Sequence, residues 1–319
     1  MIKTICEPRN VIKKEDFIRD YPGYSVALDG LVYGEPFFES TKRGPYKNFN
    51  HHEEVDRMGT RSTCSQVYIA LKQQFIQKYT KENEVIINIY YNDPDQDTLL
   101  ADWLLHNHEQ ITKKNGNYLI NRLADMEDKL DVTLGTYLLD LENQEIYNTI
   151  KKMAWVFEPY TKSRIDGKID TTDYTLLKKN MEDIRLEVHR RITAHVNKSE
   201  NAIDIDRRYN IIDKGKKWIM IKEIGTHARI NIFDDNKIDT FISYRKRENN
   251  KYVYSIIFTP YSEFPRERFC NMLNNIENTT KIDGWSGGSS NISSSRKMGS
   301  NIDPKELAEL LKKTYDRKE

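Results

Sequence analysis

Apolar positions recur along the chain with two periods, and the switches between them mark its elements. Residues 24–31 (YSVALDGL) form a short apolar run that ends on an acid, which reads as a buried strand. The stretch 35–50, rich in Gly, Pro and Lys, reads as a loop. Cys64, Tyr68, Leu71 and Phe75 then repeat at the spacing of one helical face. Residues 84–91 (EVIINIYY) are β-rich and almost continuously apolar, as in a strand buried on both faces, and residues 97–106 continue as a helix. Leu119, Leu123, Met126 and Leu130 mark a further helical face. This alternation predicts an α/β fold whose N-terminal sheet is mostly parallel and flanked by helices.

Past Glu158-Pro159 the pattern changes. Leu177, Met181, Ile184, Val188 and Ile192 trace the stripe of a long helix, expected to connect two lobes. The last third carries strand-like runs at 217–223, 239–245 and 252–258, then a helix near 265–275. A final helix opens at Asp303-Pro304, with Asp as N-cap, Pro at the first position and Glu306 closing the signal. The expected organisation is a domain over 1–165, a helical connector over 166–200 and a smaller α/β domain over 201–319. A length of 319 residues suits two such cores.

Composition narrows the chemistry. With 38% hydrophobic and 31% charged residues and a net charge of +1, the chain reads as globular and lacks the broad basic field that grips long duplex DNA. A small or short phosphorylated ligand fits that balance better. Three dispersed cysteines give neither a disulfide framework nor a Cys-x-x-Cys zinc site. No apolar run approaches the roughly 18 residues of a membrane span, and residues 1–10 lack a signal peptide's apolar core, so the expected location is cytoplasmic, away from membranes.

Four constellations carry candidate chemistry. Asn50-His51-His52-Glu53-Glu54 follows a strand that ends at Asp29, and two histidines at a turn can both be recruited to a site. Asn92-Asp93-Pro94-Asp95-Gln96-Asp97 packs three carboxylates between a buried strand and a helix, a charge density that a cation such as Mn²⁺ or Mg²⁺ would neutralise. Residues 125–131 (DMEDKLD) read, taken alone, as a solvated helix face. The segment 284–291, with Gly287, Gly288, Ser289, Ser290 and Asn291, reads as an anion-binding loop, and Arg296 beyond it can make a bidentate bond to phosphate. Arg245, Arg247 and His227 are further candidates, each ordinary when taken singly.

The segments Phe49-Asn50-His51-His52-Glu53, Val55-Asp56-Arg57 and residues 59–67 together resemble the Asp-His-His motif of the DHH phosphoesterase superfamily, with Asp29 matching the acid on the preceding strand. Residues 252–259, 264–273 and Gly287-Gly288-Ser289-Ser290 resemble that family's C-terminal associated domain. The chain departs from the pattern in two places. Asn50 stands where the family has an acid, and the Asp-x-Asp turn comes after the histidines, at Asp93 and Asp95, instead of before them.

The resemblance implies hydrolysis of a phosphoester or pyrophosphate bond in a small phosphorylated compound or short oligonucleotide, assisted by one or two Mn²⁺ or Mg²⁺ ions. It implies Asp29, His51, Asp93 and Asp97 as ligands, with Asp95 beside them and His52 as ligand or acid near the leaving group. The glycine loop, Arg296 and Arg245 are then the substrate clamp. Substrate would lie between the lobes, with closure along the long helix. Other expectations stay open: a metallohydrolase acting on nucleic-acid ends or an aminoacyl ester, and an inactive phosphate-ligand-binding protein, which Asn50 favours. Oligomeric state also stays open, a homodimer included.

Overall fold

The computed structural model describes every residue except 115, 247–249, 281–283, 290–291, 296–298 and 317–319, and only the backbone of 286–289. The chain divides into two compact units, one of Met1–Val132 with Asp140–Asp204 and one of Thr133–Leu139 with Ile205–Glu319. Both are mixed α/β. Among the described residues no helix is long and apolar enough to cross a membrane.

The first unit is built on strands β1 (Ile2–Cys6), β2 (Ser25–Leu28), β3 (Phe37–Thr41) and β4 (Gly44–Phe49), a small ribbon β5 (Thr80–Lys81) and β6 (Glu84–Val85), and β7 (Ile87–Tyr91). The main sheet runs β1-β7-β2-β4-β3, parallel throughout except for the β3 edge. All four residues of β2 are buried, as expected of a central parallel strand covered on both faces. Helices α1 (Lys14–Asp20), α2 (Thr63–Lys72), α3 (Phe75–Lys78), α4 (Gln96–His106), α5 (His108–Thr112), α6 (Tyr118–Val132), α7 (Gln144–Ile165) and α8 (Tyr174–Val196) complete the unit. Val26, Leu28, Ile87 and Ile89 of the sheet share one core with Leu99 and Leu104 of α4 and with the apolar stripe of α8. The helix expected as a connector therefore lies within the first unit, since burying that stripe requires α4, α7 and β1 beside it.

Two further expectations change. The Gly, Pro and Lys of residues 35–50 belong to a hairpin: Phe37 pairs with Asn48 and Thr41 with Gly44, while Tyr46 and Phe49 are buried. Gly44 has a φ of +128° and a Cβ there would meet the Tyr24 ring at 2.7 Å, so the punctuation serves a tight turn inside the sheet. The chain also stays helical through Pro159. Proline lacks the N–H that would reach the Trp155 carbonyl one turn back, and Arg191 Nη1 from α8 donates to that oxygen instead, at 2.5 Å.

The second unit contains β8 (Tyr209–Lys214), β9 (Trp218–Glu223), α9 (Ile232–Asn236), β10 (Thr240–Lys246), β11 (Tyr252–Phe258), α10 (Arg266–Ile276), β12 (Ser286–Ser289), β13 (Ile292–Ser294) and α11 (Pro304–Leu311). Its sheet runs β12-β13-β11-β10-β9-β8, and only β9 and β10 are parallel. Trp218, Ile242, Ile256, Phe269, Leu273 and Leu307 join the sheet to α10 and α11 in one core. Asp303 caps α11 as its sequence predicts, accepting from the Lys305 N–H at 2.9 Å. Gly287, Gly288 and Ser289 lie in β12, paired antiparallel to β13, and so form a strand where the composition suggested an open loop. Ser290, Asn291, Arg296 and Arg247 lie outside the described residues. Arg245 sits half-buried near the end of β10, opposite Val253. His227 is engaged by the Thr226 hydroxyl at 2.8 Å.

Candidate metal centre

Three strand ends bring the acids and histidines of the first unit together. β2 ends at Asp29, β4 at Asn50-His51-His52 and β7 at Asn92-Asp93, all at the carboxyl edge of the parallel strands, where open α/β sheets build their sites. Asp29 turns the chain sharply: its φ is +40° and that of Gly30 is +73°. Left-handed backbone at a non-glycine residue costs energy, and such strain gathers at functional positions. The Asp29 N–H is tied to the Phe49 carbonyl at 2.9 Å, so the β2 and β4 ends are locked side by side.

Asn50 forms the histidine turn. Its Oδ1 accepts from the N–H groups of Gly30, His51 and His52 at 3.1, 2.9 and 3.2 Å. Its Nδ2 donates to the Gly34 carbonyl at 2.8 Å and to Glu53 at 3.0 Å. A carboxylate could accept the first three bonds but could not donate the other two. Asn50 is thus turned toward backbone and holds both histidines by their amides.

His51 is fully buried, with Nε2 at 2.9 Å from Asp131, 3.2 Å from Asp29 and 3.6 Å from Asp97. Three carboxylates from three elements therefore crowd a single ring nitrogen. Burial opposes a charge on His51, yet Asp131 and Asp29 outweigh it and push its pKa up to about 10. Among the described residues two sets of side chains have spacing suited to a cation: Asp29, His51 and His52, and His51, Asp97 and Asp131, with His51 common to both.

The carboxylates divide by surroundings. Burial works against Asp29, but His52 and His51 hold it well below the usual carboxylate range. Asp131 is likewise held down by His51 and Arg57 in spite of burial. Burial and the Asp131 charge push Asp97 up to about 6. Its two oxygens accept the first amides of α2, from Thr63 at 2.6 Å and Cys64 at 2.7 Å, so it fixes that helix while facing His51. Asp95 caps α4 through the Thr98 N–H at 2.8 Å, and burial with the Asp29 charge drives its carboxyl well upward. Asp93 reaches solvent, although lost hydration and Asp29 still push it up to about 6. Asp93 and Asp95 stand outside both ligand-spaced sets and bear on the centre through charge. Crowded carboxylates of this kind favour a cation among them.

Sequence patterns missed Asp131 and Arg57. Asp131 comes from the solvated-looking segment of α6, whose buried positions Ile120, Leu123, Ala124 and Glu127 set up a stripe that reaches Asp131 one turn later. Glu127 on that stripe is buried as well, which local charge pattern does not reveal. Asp125 instead pairs with Lys129 at 2.6 Å, and Asp128 accepts from the Ser62 N–H at 2.6 Å. Arg57 is 2% exposed. Its Nη2 donates to the carbonyl and carboxylate of Asp131 at 3.0 and 3.1 Å, and its Nη1 lies 3.2 Å from His52 Nδ1.

A guanidinium only donates, so the Arg57 contact makes His52 Nδ1 the acceptor. The neutral ring then carries its proton on Nε2, 2.7 Å from Asp29. Spacing alone groups His52 with the ligands, but Arg57 sets it as a donor. The residues present fit a divalent ion: oxygen and imidazole ligands, excess negative charge, and a buried imidazole nitrogen shared by three carboxylates. No family model matches the chain, and no curated protein or solved structure matches it.

Proposed function

We propose that the first unit is a divalent-metal-dependent phosphoesterase, acting on a small phosphorylated compound or a short oligonucleotide. The observation that carries this reading is His51: a fully buried imidazole whose Nε2 lies within 3.6 Å of three carboxylates from three elements. The likeness of residues 49–67 to the DHH phosphoesterase motif supports it. Mn²⁺ or Mg²⁺, one or two ions, suits the ligand set.

Asp29, His51, Asp97 and Asp131 would hold the ion. Such an ion supplies Lewis-acid stabilisation of phosphoryl charge and a good oxygen nucleophile near neutral pH. His52, with its proton on Nε2, would serve as the general acid for the leaving oxygen. Arg57 fixes the tautomer of His52 and the rotamer of Asp131 together. Asn50 faces backbone groups, so the ligand set proposed here does not include it.

The test is hydrolysis of short oligonucleotides, cyclic dinucleotides, nucleoside bisphosphates and pyrophosphate with added Mn²⁺, comparing wild type with His51→Ala. Turnover that needs Mn²⁺ and is lost in the variant supports the reading. Bound metal with no turnover across the panel would count against it.

A further inference from the structure

Beside the acidic turn, at the carboxyl end of β1, lies an open cleft of about 590 Å³ in which Glu7, Arg9, Asn10, Tyr21, Tyr174 and Lys178 meet. We infer that this cleft holds the nucleoside part of a nucleotide substrate, beside the metal centre. The inference deepens the phosphoesterase reading and rests on it for the reaction, though not for binding.

The first line of support is connection. Asn92, which immediately precedes Asp93, donates through Nδ2 to the Asn10 carbonyl at 2.7 Å and to the Gly30 carbonyl at 3.0 Å, next to Asp29. The Arg9 N–H returns to the Asn92 carbonyl at 3.2 Å. One side chain therefore ties the floor of the cleft to two acidic turns. Arg9 holds a φ of +60°, a strained conformation that aims the loop.

The lining matches a nucleotide part by part. Tyr174 is 56% exposed, and its ring makes no contact with the described aromatic residues. An exposed tyrosine ring is a stacking surface for a base. Lys178 lies one turn further along the same face of α8 and has no carboxylate partner among the described residues. The Arg9 guanidinium is held by the Thr171 carbonyl at 2.8 Å. These two cations suit a phosphate. Glu7 accepts from Asn10 Nδ2 at 2.7 Å and from the Tyr21 hydroxyl, which leaves Glu7 Oε1 and Asn10 Oδ1 as acceptors for the amino group of a base.

The experiment is calorimetric titration of the full chain with AMP and with ribose 5-phosphate in EDTA, for wild type, Tyr174→Ala and Lys178→Ala. AMP should bind more tightly than ribose 5-phosphate. Tyr174→Ala should weaken AMP by roughly five- to a hundredfold and leave ribose 5-phosphate unchanged, whereas Lys178→Ala should weaken both. AMP binding no tighter than the sugar phosphate, or insensitive to Tyr174→Ala, would overturn the inference. Because the chelator removes metal, AMP binding without any Mn²⁺-dependent hydrolysis would count against the phosphoesterase reading alone.

Discussion

The Oδ1 of Asn50 accepts the backbone N–H of His51 at 2.9 Å, and the same oxygen serves His52 and Gly30. One neutral side chain thereby sets the turn on which both imidazoles depend. Asn50→Ala strands buried amides and should cost about 2–3 kcal/mol in denaturant unfolding. Asn50→Asp restores the family's acid but forfeits the bonds to Gly34 and Glu53, so it should lower both stability and activity. Greater turnover in Asn50→Asp than in wild type would contradict this role.

Metal uptake should release protons. In the metal-free protein His51 keeps its proton up to about pH 10, because Asp131 and Asp29 outweigh its burial. A ligating imidazole must be neutral, so binding expels that proton and affinity rises with pH through the neutral range, by up to about tenfold per unit for one proton. Calorimetry in buffers of different ionisation enthalpy measures the release. Affinity independent of pH between 6 and 8 would refute the linkage.

Arg57 sets the His52 tautomer and braces Asp131. Arg57→Met should lower kcat by about 10–100-fold, the usual cost of losing a group that orients ligands. Mn²⁺ affinity should fall with it, since Asp131 loses the guanidinium that orients it. A purely structural arginine would reduce the yield of folded protein and leave the kcat and Mn²⁺ affinity of the remainder unchanged.

Away from the centre, buried Asp102 accepts from Thr4 at 2.7 Å and faces Arg185 at 3.3 Å and His189 at 3.1 Å. Burial opposes its charge, but His189, His106 and Thr4 prevail and hold it down at about 2. A depressed folded pKa contributes stability above the unfolded value near 4, and that contribution fades as pH falls toward 2. Asp102→Asn should therefore destabilise by about 2 kcal/mol at pH 7, with the gap to wild type closing below pH 4. A gap that stays constant down to pH 2.5 would show that Asp102 acts by packing.

Much of the fold was readable because its elements follow their own periods. β2, β7, α2, α4, α6 and α8 all fall where apolar spacing puts them, and Asp29, His51, His52 and Asp97 converge at strand ends and at the start of α4. The β3–β4 hairpin was hidden because Gly44 and Pro45 look like loop residues until Tyr46 and Phe49 are seen to be buried. Helix α7 was hidden by Pro159, whose missing donor is replaced from a residue more than thirty positions away. Asp131 and Arg57 were invisible for a similar reason. Local pattern marks them as solvated charges, and only the packing of α6 against α2 and α4 brings Asp131 inward, where Arg57 meets it.

The central claim is that His51 and its carboxylates form a cation site. Calorimetric titration of wild type and His51→Gln with Mn²⁺ tests it most directly, with thermal unfolding in chelator confirming that the variant is folded. One or two Mn²⁺ sites in wild type, lost or weakened at least about tenfold in the variant, is the predicted result. Equal Mn²⁺ binding by both proteins, or none by wild type, would contradict it.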